Sequence, residues 1–118
     1  MMKKVKVVEA TDRQLSWLVG VAEGYEMSLY GVDPSIRAWE RGLGVKAPWM
    51  PTRYWNQMGP IIEREKIGGY WDEGNSRWDQ VLGKGRFVES GPTKLIAAAR
   101  CYVASKLGNE VEVPEELS

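Results

Sequence analysis

The chain has 118 residues, 43% of them apolar and 27% charged, which suits one folded domain with one core and excludes a disordered chain. Its 16 basic side chains balance 16 acidic ones, so no general attraction draws it to a phosphate backbone, and duplex nucleic acid is demoted as a partner, although a local basic patch survives such an average. The complete lack of His removes the commonest general base, the Ser–His and Cys–His nucleophile pairs and most zinc and iron sites, so no catalytic residue, cofactor or metal is assigned.

Lys4 and Lys6 alternate with Val5 and Val7, the pattern of a half-buried strand. No long apolar run follows the basic start Met1-Met2-Lys3-Lys4, so neither a signal peptide nor a membrane span is expected, and the setting reads as a cytoplasm. Thr11 with Gln14 three residues on predicts a capping box and a helix to about Glu23, stopped by Gly24. Leu15, Leu18, Val19 and Ala22 share one face of that helix. Trp17 and Val21 lie nearly opposite, so cover on two sides is expected.

Residues 25–50 read as a Trp-rich variable loop or insertion. Asp33-Pro34 and Gly42 bracket a short helix carrying Ile36 and Trp39, and Gly42, Gly44, Pro48 and Pro51 mark a loop. Gly59-Pro60 is expected to open another short helix, from Ile61 to about Lys66, ended by Gly68-Gly69. Tyr70-Trp71 and Arg77-Trp78 flank Glu73-Gly74-Asn75-Ser76 as a hairpin, and Gly83-Lys84-Gly85-Arg86 is a flexible basic loop.

Ser90-Gly91-Pro92 starts the best-defined helix, which runs to Leu107 and stops at Gly108-Asn109. Leu95, Ile96, Ala99, Tyr102, Val103 and Leu107 form its broad apolar face. Ala97, Ala98, Cys101 and Ala104 keep the other side small, which fits a helix at the centre of the domain and also permits a homo-oligomeric contact. Cys101, which has no partner for an internal disulfide, reads as a small buried hydrophobe and fits a reducing compartment. Glu110-Val111-Glu112-Val113-Pro114 alternates again, with glutamates outward where the first strand puts lysines, so the first and last strands are expected to be neighbours. The whole is an α+β chain, a small single domain over 1–118, with a mostly antiparallel sheet packed against the long C-terminal helix and shorter helices.

Gly59-Pro60-Ile61-Ile62-Glu63-Arg64-Glu65 resembles a motif of the NinX family of tailed phages. So does the closing run from Gly91-Pro92-Thr93 through Leu95-Ile96-Ala97-Ala98 and Arg100-Cys101-Tyr102-Val103-Ala104 to Glu110-Val111-Glu112-Val113-Pro114. The opening strand, the Leu15-to-Gly24 helix and Pro51-Thr52 with Trp55 fit the same family, while residues 25–50 and Gly69–Glu89 depart from its pattern. The resemblance implies a phage accessory product acting in the cytoplasm of an infected bacterium. It implies no biochemical activity, and counter-defence is a reading by association with that setting.

Several constellations carry little chemistry. Glu63 and Glu65 project about 160° apart on a helix and read as solvated local ion pairs with Arg64. Gly83-Lys84-Gly85 lacks the Ser- or Thr-ended run of a phosphate loop, and Asp72, Glu73 and Asp79 match no calcium loop.

Six Trp stand against one Phe, which reads either as an indole core or as a stacking surface. The strongest candidate site runs Arg53, Tyr54, Trp55, Asn56, Gln57 into Gly59. Rings stack on a planar base, amides read its edge, Arg53 and Arg64 neutralise phosphate, and the helix start after Gly59 receives an anion. A second helix start, with Thr93 and Lys94, offers another such place. The competing reading packs Trp55 in the core and lets Pro60 merely start a helix. Four functions stay open: a binder that sequesters a small anionic nucleotide-like immune signal; alternatively, a protein-interaction module that inhibits or redirects a host protein through Trp39 and Trp49; an enzyme without imidazole; and a nucleic-acid binder. The first two lead, and no enzymatic activity is expected.

Overall fold

The computed structural model describes residues 1–30, 35–39, 46–83 and 85–117. In chain order the elements are β1 (Met2–Lys6), a 3-10 turn (Val7–Glu9), α1 (Asp12–Ala22), β2 (Glu26–Tyr30), β3 (Ser35–Trp39), β4 (Lys46–Pro48), α2 (Trp55–Glu65), β5 (Gly68–Asp72), β6 (Arg77–Leu82), β7 (Phe87–Gly91), α3 (Lys94–Leu107) and β8 (Glu110–Pro114). The strands form three antiparallel sheets, β1-β8, β2-β3-β4 and β5-β6-β7, where the sequence pointed to one.

The two alternating termini pair as expected. Lys4 stands across from Glu112 and Lys6 across from Glu110, an arrangement worth roughly 0.2–1 kcal/mol per pair over a neutral one. Val111 and Val113 turn into the core and the glutamates face water. α1 starts with the full capping box: Gln14 N–H donates to Thr11 Oγ1 at 3.2 Å, and Thr11 N–H donates to Gln14 Oε1 at 2.9 Å. It closes at Gly24, whose φ of 81° falls where glycine is favoured. Leu15, Leu18 and Val19 are buried; Trp17 is half-covered and Val21 exposed, so the second side is covered only in part.

α3 lies at the centre. Thr93 Oγ1 accepts from Ile96 N–H at 3.1 Å to start it. Both its broad face (Leu95, Tyr102, Val103) and its small side (Ala97, Ala98, Cys101, Ala104) are buried, against α1, β6 and β7. Leu107, at its last turn, is exposed instead. Gly91 allows the closest of these approaches, since a Cβ there would stand 3.0 Å from the Ala97 nitrogen.

Three expectations need correction. The short helix around Ile36 and Trp39 is instead β3, because Leu29 of β2 pairs with Ile36 and buries it. The stretch read as a Trp-rich loop thus holds three strands; Asp33, Pro34, Gly42 and Gly44 lie outside the described residues.

Gly59-Pro60 does not open α2 but sits inside it. Proline is disfavoured there because it lacks the N–H that would bond the carbonyl four residues back and because it pushes the preceding residue away from helical angles. Gly59, with no Cβ and open space around it, relieves the second restriction.

Gly68-Gly69 do not end α2. The stop is Lys66, left-handed at φ 59°, followed by an Ile67 N–H bond to Ile62 O at 3.0 Å. Gly69 instead lies in β5, where a Cβ would collide with the Asp79 carbonyl of β6. The hairpin between Tyr70-Trp71 and Arg77-Trp78 forms as expected. β7, read as no element from the sequence, closes that sheet beyond the basic turn, of which Lys84 lies outside the described residues.

Candidate functional site

The segment leading into α2 is fixed by polar contacts to α1 and to itself. Trp49 Nε1–H donates to Ser16 O at 2.8 Å, Ser16 Oγ and Thr52 Oγ1 bond at 2.8 Å, and Thr52 Oγ1 donates to Asp12 O at 3.2 Å. Gln57 reaches back along the chain: its Oε1 accepts from Met50 N–H at 2.7 Å and its Nε2 donates to Pro48 O at 2.9 Å. Arg53 pairs with Asp12 at 2.9 Å. This clamp turns Tyr54, Trp55 and Asn56 to the surface, with Trp55 55% exposed.

Facing Trp55 is the first turn of α3. Lys94 Nζ stands 5.8 Å from the Trp55 ring and also 5.8 Å from the ring of Trp78 on β6. Trp78 meets Trp71, its cross-strand partner on β5, edge-on at 5.7 Å. Lys94 forms no ion pair among the described residues. Two indoles from two different elements, Trp55 and Trp78, therefore stand by one ammonium group, and a third, Trp71, packs against Trp78; Trp55 and Trp71 are exposed.

The structure divides the residues expected to form the site. Trp55 and Lys94 come together, and Tyr54 and Asn56, which flank Trp55 in the chain, are exposed. Thr93 is next to Lys94 but spends its hydroxyl on the α3 cap. Gln57 is used internally, and Arg53 is held by Asp12. Gly59 lies mid-helix, so the anion site expected at a helix start after it does not form.

Arg64 is engaged elsewhere. It donates from both terminal nitrogens to Glu23, at 3.1 and 2.7 Å, from Nε to Glu65 at 2.9 Å, and to Tyr102 Oη at 3.2 Å. Hydrogen bonds to Glu23 and Glu65 hold its pKa above the ordinary guanidinium value, and Arg64 in turn lowers that of Glu65. Tyr102 also donates to Glu23, and burial followed by that carboxylate raises its phenol pKa. Lys106 closes the network with Glu65 at 3.3 Å. This is an ion-pair network joining α1, α2 and α3, with its hydrogen bonds made inside the chain.

Of the aromatics proposed for a protein partner, Trp49 lies in the core at 8% exposure, edge-on to Tyr25 at 5.3 Å, so it offers no face to a partner. Trp39 ends β3, and its side chain lies outside the described residues. Trp71 and Trp78 are not among the site residues expected from the sequence, though the hairpin expected there sets them across from each other. Cys101 is buried, donates weakly to Gln80 O at 3.1 Å, and has its thiol pKa pushed up to about 12 by burial, which leaves it unreactive as a nucleophile. Among the described residues no group of three or more Cys, Asp or Glu is placed to hold a metal ion, and no helix is long and apolar enough to cross a membrane.

An antiparallel α+β fold wrapped on one central helix, with an aromatic–ammonium face at that helix's first turn, defines the class of protein. The chain belongs to a phage family: the family described as "Bacteriophage P22, NinX" matches residues 6–106, so this is a NinX-family phage accessory protein. Curated proteins offer no match to it.

Proposed function

We propose that this phage protein works by binding, and that its ligand is a planar anion of the nucleotide class stacked on the Trp55–Lys94–Trp78 face. The observation that carries the reading is the ammonium of Lys94 placed 5.8 Å from two indole rings with no carboxylate of its own among the described residues. Indoles supply sequence-tolerant stacking, and a cation left unneutralised beside them supplies the charge. Asn56, next to Trp55 in the chain and exposed, carries an amide donor and acceptor. In the cytoplasm of an infected bacterium, a stoichiometric binder of this kind removes a nucleotide signal without chemistry, which is counter-defence by sequestration.

The test is a thermal and fluorescence titration of the purified protein with cyclic and linear nucleotides. A ligand at about 100 times its Kd stabilises the native state by about 2.7 kcal/mol, a rise of several degrees in Tm, with quenching of Trp emission. Trp55→Ala and Lys94→Ala abolish both signals, while Tyr70→Ala, on the opposite face of its sheet, leaves them unchanged. No shift and no quenching with any nucleotide overturns the reading. A second reading rests on Tyr54, Trp55 and Trp71 each being exposed, since such residues anchor protein interfaces. A host protein retained from lysate by the wild-type chain and released by Trp55→Ala supports that reading instead.

A further inference from the structure

We infer that β1 carries a second binding site, on its open edge, for an extended peptide that alternates acidic and aliphatic residues. Among the described residues β1 pairs with β8 alone, so its other edge meets no strand of them. The ladder's parity shows which groups that edge presents. Val7 N–H bonds Asn109 O at 2.9 Å and Glu115 N–H bonds Met1 O at 3.0 Å, so the odd-numbered residues of β1 bond to β8. In an antiparallel pair the intervening residues point their N–H and C=O the other way, and these are Met2, Lys4 and Lys6. A hollow of about 500 Å³, open to solvent, runs beside this edge: residues 3–6 of β1 all line it, but of β8 only Glu110 does, and Thr11 and Gln14 at the start of α1 form its far wall.

The charge of this edge selects the guest. Lys3, Lys4 and Lys6 form no ion pair among the described residues. Lysines on an edge repel a basic strand, including a second copy of β1, and admit an acidic one. An added strand bonds the main chain of Met2, Lys4 and Lys6, sets its acidic side chains beside Lys4 and Lys6, and turns the alternate side chains towards Val5 and the start of α1. A nucleic-acid strand fits less well. Phosphates only accept hydrogen bonds, whereas this edge presents carbonyls as well as N–H groups.

The experiment is fluorescence anisotropy of the full chain with a labelled octapeptide of alternating Glu and Val, a Lys–Val counterpart and a short oligothymidylate. The Glu–Val peptide is expected to bind at least about tenfold more tightly than either. Lys4→Pro removes an outward N–H without touching the hydrogen bonds of the β8 ladder, so it abolishes binding while Tm falls only by the small contribution of the Lys4–Glu112 pair. The double variant Lys4→Gln with Lys6→Gln removes the preference for the Glu–Val peptide without setting like charges across from Glu112 and Glu110, which keeps the test decisive if the proline variant misfolds. Equal binding of the two peptides, oligothymidylate bound in their place, or undiminished binding by the double variant overturns the inference. So does concentration-dependent self-association of the chain alone that Lys4→Pro abolishes, since a second copy is then the occupant. Nucleotide binding at Trp55 is unaffected by these variants, so the two sites fail or stand separately.

Discussion

Trp49 and Trp55 come from one stretch of chain and end in opposite surroundings, and hydrogen bonding explains the division. An indole enters a core readily when its N–H finds an acceptor, and the Ser16 carbonyl serves Trp49. Trp55 has the clamp from Trp49 to Gln57 behind it and is left outside, where its ring is available to Lys94. The same reasoning applies to charge. Glu89 on β7 is half-buried, and desolvation raises its carboxyl pKa, partly offset by Arg100. A carboxyl whose folded-state pKa exceeds its unfolded value stabilises the fold below that unfolded value, 4.5, and loses the contribution as pH rises through the higher folded value. At neutral pH Glu89 is therefore a small liability. Glu89→Gln is expected to raise Tm at pH 7 by about 1–3 °C, with the gain shrinking to nothing as pH falls below 4.5. Thermal melts of both proteins across that range check it, and a gain that persists at low pH contradicts it.

Elements whose signals are local were legible in the sequence. The Thr11–Gln14 capping box and the valine alternation of β8 each act within a few residues, and each formed where the residues placed it, whereas the helix start read at Ser90-Gly91-Pro92 moved to Lys94, with Ser90 and Gly91 taken into β7. β3 and the start of α2 depend on distant partners instead. Ile36 is drawn into a strand by Leu29, and α2 begins at Trp55 because Gln57 is tied to Met50 and Pro48. The candidate site divided the same way. Trp55 and Lys94 could be named from residue type, but nothing near Arg64 in sequence announced Glu23, which takes its guanidinium. Nor did anything local announce that the Trp71–Trp78 pair would meet the first turn of α3. The misread Gly59-Pro60 leads to a prediction. Inside α2 the Asn56 carbonyl has no N–H from Pro60 to accept, and an interior proline is unfavourable by about 3 kcal/mol, partly offset by up to about 1 kcal/mol of unfolded-chain entropy. Pro60 is exposed, so Pro60→Ala introduces no clash. It should raise the stability measured by urea denaturation by roughly 2 kcal/mol at unchanged m-value. An unchanged or lower midpoint would show that the helix has already adapted to the proline.

At the scale of the molecule, the two ends of the chain close the structure together. β8 supplies the ladder for β1, Glu115 N–H bonds Met1 O, and Gln14 Nε2 donates to the Leu117 carbonyl at 3.1 Å across the whole length of the sequence. Leu117, Val113 and Val111 are buried beside residues of α1 and α3. The family match ends at residue 106, so β8 lies beyond it, although Glu110–Pro114 resembles the family's closing run. The packing shows what β8 contributes. Burying one such aliphatic side chain contributes about 1.5–3 kcal/mol, so the three together contribute roughly 4–9 kcal/mol, a large part of the roughly 5–15 kcal/mol that separates folded from unfolded domains. Removing β8 also strips β1 of its only strand partner among the described residues and uncovers Leu18 and Val21 of α1, which line a hollow with β8. A chain truncated after Asn109 keeps the whole family-matched region and both Trp55 and Lys94, yet it is expected to lose cooperative thermal unfolding and near-ultraviolet circular dichroism. If it melts cooperatively within a few degrees of the full chain, the core is held by α1, α2 and α3 with the β5–β7 sheet alone. The terminal ribbon would then be an appendage whose open edge serves binding and not stability.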